Sequence, residues 1–472
     1  YDQWLQSNPC TAAENGGDVH TCKGLYFFRN GPYTVEKEMI VDLPAPQVWL
    51  NITGCTFEDG NNLCRGTPML TLTGEELLPN EKIIRVEGAF EGTEFSCTGS
   101  ECTIPLGITD ERGAKLTFWG NSSYGDSTEV FEALIRVVAA ENKTEPTTSE
   151  PVTTEEPTVT GVPTNTEDST PIMEPGETQE PSLTAYYVDV ISSQWKGEEI
   201  SSCATIWGAF PDVQGPPHWL DTPQDASGLN SSLPVYYLSA MLIRNGTVDA
   251  SDCPSGGLES LQTANLCGVE KASEAATAWQ NQFNDDILSV STSTGIPGQL
   301  LKNLFYRESQ LWPGIYKDVN EVGLGQLTEE GAEAALLWNP DFYVKFCPLV
   351  FSNETCDLGY GNLGLDEQLI LRGALLQEAN TSCTDCPLGI DLSEVNFSIQ
   401  IFAETLQGNC GQVNAMYKNL TRLSAGKLSS YEDLWRFTLI NYHAGPGCLW
   451  NAIGRAWDVD DPLDWEHVAP NL

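Results

Sequence analysis

The residues best placed to do chemistry are Glu308 and Ser309, which stand fifteen residues before the run Gly323-Leu324-Gly325-Gln326-Leu327. About 115 residues further on comes Asn441-Tyr442-His443-Ala444-Gly445-Pro446-Gly447. Upstream of the acid, Leu300, Leu301, Leu304 and Phe305 are spaced as one helical face, which predicts a helix from about 297 to 311. Glu308 follows Leu304 by four residues and Leu301 by seven, so it shares that apolar face. A carboxyl there loses water, its pKa rises, and it keeps its proton near neutrality. That is the form a general acid needs to protonate a glycosidic oxygen. The other reading of this helix alone is a structural glutamate, satisfied by backbone or arginine or held at the rim of the apolar face.

Other helices must position this acid. The segment from Ala275 to Val290 carries Trp279, Phe283, Ile287 and Val290 at three- and four-residue steps, and Gly295-Ile296-Pro297 separates it from the next helix. Further helical stretches are expected near 329–338, 365–378, 391–406, 430–442 and 446–457, so 255–472 reads as a mainly helical domain. Before it, 184–254 reads as an extension packed on that domain. Within the extension, Ala185 to Val190 is a strand or an extended docking arm, and Val235 to Ile243 is a strand or a buried helix.

The first 140 residues alternate in the manner of strands, as in Val48-Leu50-Ile52, Leu70-Leu72, Ile84-Val86, Leu116-Phe118 and Phe131-Ala133-Ile135-Val137. Turn residues recur between them, which predicts an all-β sandwich of immunoglobulin-like type with a structural or adhesive role. Residues 141–183 are a Thr/Pro/Glu-rich tract without Cys or aromatics. Such a composition buries no core, and it predicts a disordered linker separating two modules. The chain is therefore expected to be multidomain.

Composition narrows the setting. Fifteen cysteines in 472 residues point to an oxidising compartment. The six before residue 103 fall in close pairs, Cys10–Cys22, Cys55–Cys64 and Cys97–Cys102. The nine from Cys203 onward are odd in number, which leaves a free thiol, an intermolecular disulfide or a surface assembly open. Cys383-x-x-Cys386 resembles half a metal site, but none of the four histidines stands at ligand spacing, so a disulfide is the expectation and no metal or cofactor is called for. Nine Asn-x-Ser/Thr sequons add to an extracellular or cell-surface reading. The chain begins with Tyr1, read here as a mature chain that has lost a signal peptide. No stretch is long enough for membrane insertion. A net charge of −43 argues against nucleic acid and anionic membranes as partners. It is either a solubility device or a source of repulsion from anionic polymers and avidity for cations.

Taken with their order, the motifs Glu308-Ser309, Trp312-Pro313, Gly323-Leu324, Gln326-Leu327 and Tyr442 with Ala444-Gly445 resemble the goose-lysozyme-like catalytic domain of soluble lytic transglycosylases. The helix start Ile296-Pro297-Gly298-Gln299 is similar too, and the resemblance covers about 200 residues. It implies a lysozyme-like fold that cleaves β-1,4 bonds between N-acetylmuramic acid and N-acetylglucosamine in peptidoglycan. It implies Glu308 as acid and then base, with a 1,6-anhydro product and no second carboxylate. Ser309, Trp312, Gly323, Gln326, Tyr442 and His443 would bind substrate, with Trp312 facing the cleft. Other aromatics near the motifs, Tyr316, Trp338, Tyr343 and Trp450, are either core or stacking platforms.

Three positions depart from the pattern. Lys317 replaces a common serine, and a cation there would lower the pKa of Glu308. Gly325 replaces a methionine of the groove, and His443 replaces an asparagine. These departures support a rival expectation, a non-catalytic glycan-binding or structural protein on the same scaffold. A true hydrolase of the goose-lysozyme kind is a third.

Overall fold

The alternating segments of the first half pair into one sheet, and its register explains most of the sequence pattern. A computed structural model describes residues 2–6, 27–32, 43–57, 62–140, 185–197, 201–312, 321–383, 385–386, 388 and 390–472. The chain divides into two compact units, Tyr1–Ala45 with Leu77–Asn80, and Pro46–Glu76 with Glu81–Leu472. In the smaller unit, β1 (Asp2–Gln6) pairs antiparallel with β2 (Phe27–Pro32).

The larger unit opens with β3 (Gln47–Phe57), β4 (Leu63–Glu75), β5 (Ile83–Phe90), β6 (Thr93–Thr98), β7 (Glu101–Pro105), β8 (Ala114–Ser122), β9 (Phe131–Ala139) and β10 (Ala185–Ile191). They form a single antiparallel sheet in the order β3-β4-β10-β9-β8-β5-β6, with β7 returning to pair with β4. The thirteen-residue β4 therefore borders two partners on one side: Leu63 to Arg65 meet β10, and Met69 to Thr73 meet β7. The sheet curls, and its concave face buries Val48, Leu50, Leu70, Leu72, Leu116 and Phe118. Asn51 lies on the outer face, as an acceptor of a glycan must. One alternation is broken. Ile83 and Val86 point inward while Ile84 is exposed, because the β5–β8 register shifts between Ile83 and Arg85.

Strand β10 lies beyond the Thr/Pro/Glu tract in sequence but inside the sheet, between β4 and β9. Tyr186 is the register partner of Ala139, and the Ala140 amide donates to the Ala185 carbonyl at 2.9 Å. The expected linker, residues 141–183, lies outside the described residues, but the segments flanking it are neighbours in one ladder. Residues 185–191 thus belong to the sheet rather than to an extension of the helical region.

The helical region consists of α1 (Ser202–Trp207), α2 (Tyr236–Arg244), α3 (Leu266–Asn281), α4 (Asn284–Thr294), α5 (Gly298–Ser309), α6 (Glu329–Trp338), α7 (Pro340–Phe346), α8 (Asn353–Cys356), α9 (Leu365–Ala379), α10 (Val395–Thr421), α11 (Tyr431–Ala444), α12 (Pro446–Asp458) and α13 (Trp465–Val468). The segment expected as one helix from Ala275 to Val290 is two, broken at Gln282 and Phe283. The ambiguous stretch after Val235 is α2. The 27-residue α10 runs through the core, with α1, α4, α6, α9 and α11 packed on it. Cys203–Cys410 ties α1 to its middle.

Sheet and helices meet at a buried ion pair. Arg136 on β9 donates to Asp189 on β10 at 2.8 and 2.6 Å, and to the Pro211 carbonyl at 2.7 Å. Its guanidinium lies 4.8 Å from the Phe210 ring centroid. A buried charge is tolerated here because every donor face has a partner.

The pairs Cys55–Cys64 and Cys97–Cys102 are bridged, as are Cys253–Cys267, Cys347–Cys356 and Cys383–Cys386. Cys448 is the free thiol among the described cysteines, and Cys10–Cys22 lies outside the described residues. Sequon asparagines 51, 121, 230, 245, 353, 380, 396 and 419 are all at least partly exposed, and Asn142 lies outside the described residues. Among the described residues no helix is long and apolar enough to cross a membrane.

Candidate active site

Glu308 stands in the last turn of α5, whose buried face is Leu300, Leu301, Leu304 and Phe305. The helix stops because Gln310 and Leu311 both take left-handed backbone, φ 53° and 61°. That strained pair is held from outside. Gln310 Oε1 accepts from the Tyr237 and Leu238 amides at 2.9 and 3.0 Å, and the Leu311 carbonyl accepts from Trp279 Nε1 at 2.8 Å.

The Gly/Gln run closes into a tight loop. Val322 and Leu327 exchange amide-to-carbonyl bonds at 3.1 and 2.8 Å. Gly323 adopts φ 71°, and a Cβ there would fall 2.2 Å from Ser398 Oγ, so only glycine fits. Gly325 lies flat against the Phe402 ring, which a Cβ would meet at 1.9 Å. Two side chains from different helices hold this loop. Ser309 Oγ donates to the Leu324 carbonyl at 2.7 Å, and Tyr442 on α11 donates its hydroxyl to the Gly325 carbonyl.

Between α5, the loop, α6, α10 and α11 lies a cavity of about 440 Å³. Glu308, Gln326, Tyr442 and His443 line it. The Glu308 side chain is 19 % exposed, and His443 Nδ1 stands 3.9 Å from its Oε1 on a ring that is 76 % exposed. Burial pushes the Glu308 carboxyl above its usual range; the His443 charge pulls it down, Glu321 pushes it up, and Arg307 pulls it down. Burial, with Glu308 and Glu321 nearby, holds the Tyr442 phenol well above its ordinary pKa, so it stays a neutral donor.

Three expected binding residues sit elsewhere. Ser309 is buried and spends its hydroxyl on the loop and on the Phe305 carbonyl. Gly323 faces Ser398 and the Ala379 carbonyl rather than the cavity. Trp312, expected to face the cleft, is 8 % exposed and stacks on Trp279 with centroids 4.9 Å apart. The left-handed turn at Gln310 and Leu311 lies between it and the helix, and it packs in the cluster of Tyr237, Leu238 and Ala272. Lys317 and Tyr316 lie outside the described residues.

Sequence reasoning missed other lining groups. Glu321, Glu330 and Glu333 bring three more carboxylates, and Asn409, Gln412 and Asn441 bring amides. Two of these had a visible signal: Glu321 stands two residues before Gly323, and Asn441 directly precedes Tyr442. Trp338 lines the cavity and also a shallow apolar groove of about 370 Å³ that continues past Met416 and Pro446 to the exposed Trp450. Tyr343, by contrast, is buried with its hydroxyl on the Cys356 carbonyl. Among the described residues no three His, Cys, Asp or Glu side chains converge to hold a metal ion.

Such a site can hold a chain-like ligand against Trp338 and present one proton from Glu308 to it. Comparison with family models, with curated proteins and with solved structures returned no match.

Proposed function

We propose that the chain is a secreted or surface-attached glycan-cleaving enzyme of the lytic transglycosylase kind, acting on β-1,4 bonds of peptidoglycan through a lysozyme-like helical domain. The observation that carries this reading is the convergence of residues 308, 326 and 442–443 on one cavity around a carboxyl whose pKa burial raises. Glu308 gives its proton to the glycosidic oxygen as the C1–O bond breaks. The 6-hydroxyl of the same sugar then attacks C1, and its proton returns to the Glu308 carboxylate. The product carries a 1,6-anhydro end, and no water is consumed. Disulfides and exposed sequons are in keeping with an extracellular glycoprotein, and the curled sheet would serve as an immunoglobulin-like adhesive module. The half-buried Cys448 offers an intermolecular disulfide to a surface assembly.

The test is a digest of purified cell walls. Release of anhydro-ended fragments is expected from the unmutated protein and not from Glu308→Gln, with an unchanged circular dichroism spectrum. Equal release by the mutant would end the proposal. Products heavier by one water would identify a hydrolase, for which Glu321 offers the second carboxylate.

A second reading is favoured by His443 beside Glu308 and by Phe402 filling the space over Gly325. It is a non-catalytic glycan-binding protein on the same scaffold. It predicts wall binding without new chain ends.

A further inference from the structure

The cavity does not end at Trp338. Trp338, Gln412 and Pro446 also line the apolar groove that leads outward, and Met416, Asn419 and Trp450 line it further on. On α10, Gln412, Met416 and Asn419 follow at steps of four and three, so they share one helical face. Asn419 and Trp450 line the groove but not the cavity, which puts them at its outer end. Asn419-Leu420-Thr421 is a sequon. Its asparagine is exposed in the last turn of α10, while Leu420 beside it packs on the core.

Two features bear on what covers this groove. No described residue lining it is charged, on a chain of net charge −43. A second copy would bring like charge to the rim, and a cationic partner would find no carboxylate in the lining. A neutral occupant with an apolar face fits. The second feature is Trp450 itself, whose 40 % exposure is kept by its neighbours on α12. Gly447 and Gly454 stand three residues before it and four after it, on its own face of the helix. Neither has a positive φ, and a Cβ at either would meet nothing within 4 Å. Neither backbone conformation nor packing requires glycine there. What the two glycines leave is an indole without side-chain neighbours along its helix.

We infer that Asn419 carries an N-linked glycan whose first N-acetylglucosamine units lie on Trp450 and close the outer end of the groove. A pyranose ring presents C–H bonds on one face, which pack against an indole, and it keeps its hydroxyls in water at the edge. The covalent link holds the sugar at high local concentration beside the ring, so a contact too weak for a free sugar is populated. The cavity, with Trp338 at its mouth, stays open to a strand, but that strand cannot run outward past Pro446. The seat of the glycan is independent of the glycan-cleaving proposal; its effect on long strands rests on that proposal.

The test uses the full chain secreted from a eukaryotic host that N-glycosylates. Glycopeptide mass spectrometry should find Asn419 occupied. Under hydroxyl-radical labelling, Trp450 should oxidise several-fold more slowly than in Asn419→Gln, and more slowly than after a glycoamidase has stripped the folded, unmutated protein. Asn245→Gln, which removes the sequon that follows α2, should leave Trp450 protected. The glycosylated protein should also melt higher than Asn419→Gln, and Trp450→Ala should erase that gap. An unoccupied Asn419, equal oxidation of Trp450 with and without the glycan, or a melting gap that survives Trp450→Ala overturns the inference. With Glu308→Gln as the binding form, stripping the glycan should strengthen binding of long wall strands and leave short ones unchanged. Long strands indifferent to the glycan would overturn the closing of the groove. No strand binding at all would sink the glycan-cleaving proposal and leave the seat of the glycan standing.

Discussion

Ser309 and Tyr442 donate hydrogen bonds to consecutive carbonyls of one loop, those of Leu324 and Gly325. The donors come from the end of α5 and from α11, more than a hundred residues apart in sequence. Their common acceptor strand fixes Gln326 beside Glu308. Ser309→Ala and Tyr442→Phe each leave a buried carbonyl without its donor, and each is expected to cost about 1–3 kcal/mol. Because both act on one rigid loop, the double mutant should lose less than the two costs together. Denaturant unfolding of the four proteins measures this, and strict additivity would show that the clamps are independent.

The Glu308 carboxyl has a pH signature. Its folded pKa lies above its unfolded one, chiefly through burial. The folded state therefore holds the proton more tightly, and stability is lost as pH rises from the ordinary carboxylate range through the folded pKa. Glu308→Gln removes that loss, so the mutant should melt higher than the parent at pH 7 and match it in acid. In activity, the alkaline limb should lie above the ordinary carboxylate range. Replacing the imidazole that pulls the Glu308 carboxyl down, in His443→Asn, should move that limb to higher pH. A limb that moves down or stays would separate His443 from the acid.

Gly325 and Phe402 form a matched pair. A methyl group at 325 would overlap the ring. Gly325→Ala alone should destabilise by about 1–3 kcal/mol, the usual cost of overpacking. Adding Phe402→Leu should recover part of it, and thermal melts of the single and double mutants decide the matter.

Lys302 is fully buried on α5, with its ammonium on the Gln280 carbonyl and Asn284 Oδ1, both at 2.6 Å. Burial without a carboxylate lowers its pKa from 10.5 to about 8. Between those values the unfolded chain binds the proton more tightly, so stability should rise with pH by up to about 3 kcal/mol. In Lys302→Met this rise should vanish. Unfolding free energies from about pH 7.5 to about pH 10.5 give the slope.

How far these features were readable follows the range of the interactions behind them. The face of α5 that carries Glu308 was legible because a helical period is local. The disulfides Cys55–Cys64 and Cys97–Cys102 were legible because their partners are close in sequence, whereas Cys203–Cys410 spans 207 residues and leaves no local trace. The inward turn of Ile83 depends on a register shift against β8, which no pattern within β5 reveals. Trp312 was misplaced because the left-handed pair Gln310 and Leu311 redirects the chain, and neither residue type announces that conformation. Phe283 reads as part of a helical face, yet it marks the break between α3 and α4.

The pairing of Ala139 with Tyr186 has a topological outcome. The Thr/Pro/Glu tract departs from and returns to the same place in the ladder, so its contour length cannot set a distance between two bodies. It is an excursion whose two ends are stitched together. A protease that cuts within it makes a split protein: no described disulfide crosses the cut, and two fragments would separate on a denaturing gel. In native buffer they would stay one particle, because β10 remains seated between β4 and β9 and the Arg136–Asp189 pair joins one fragment to the other.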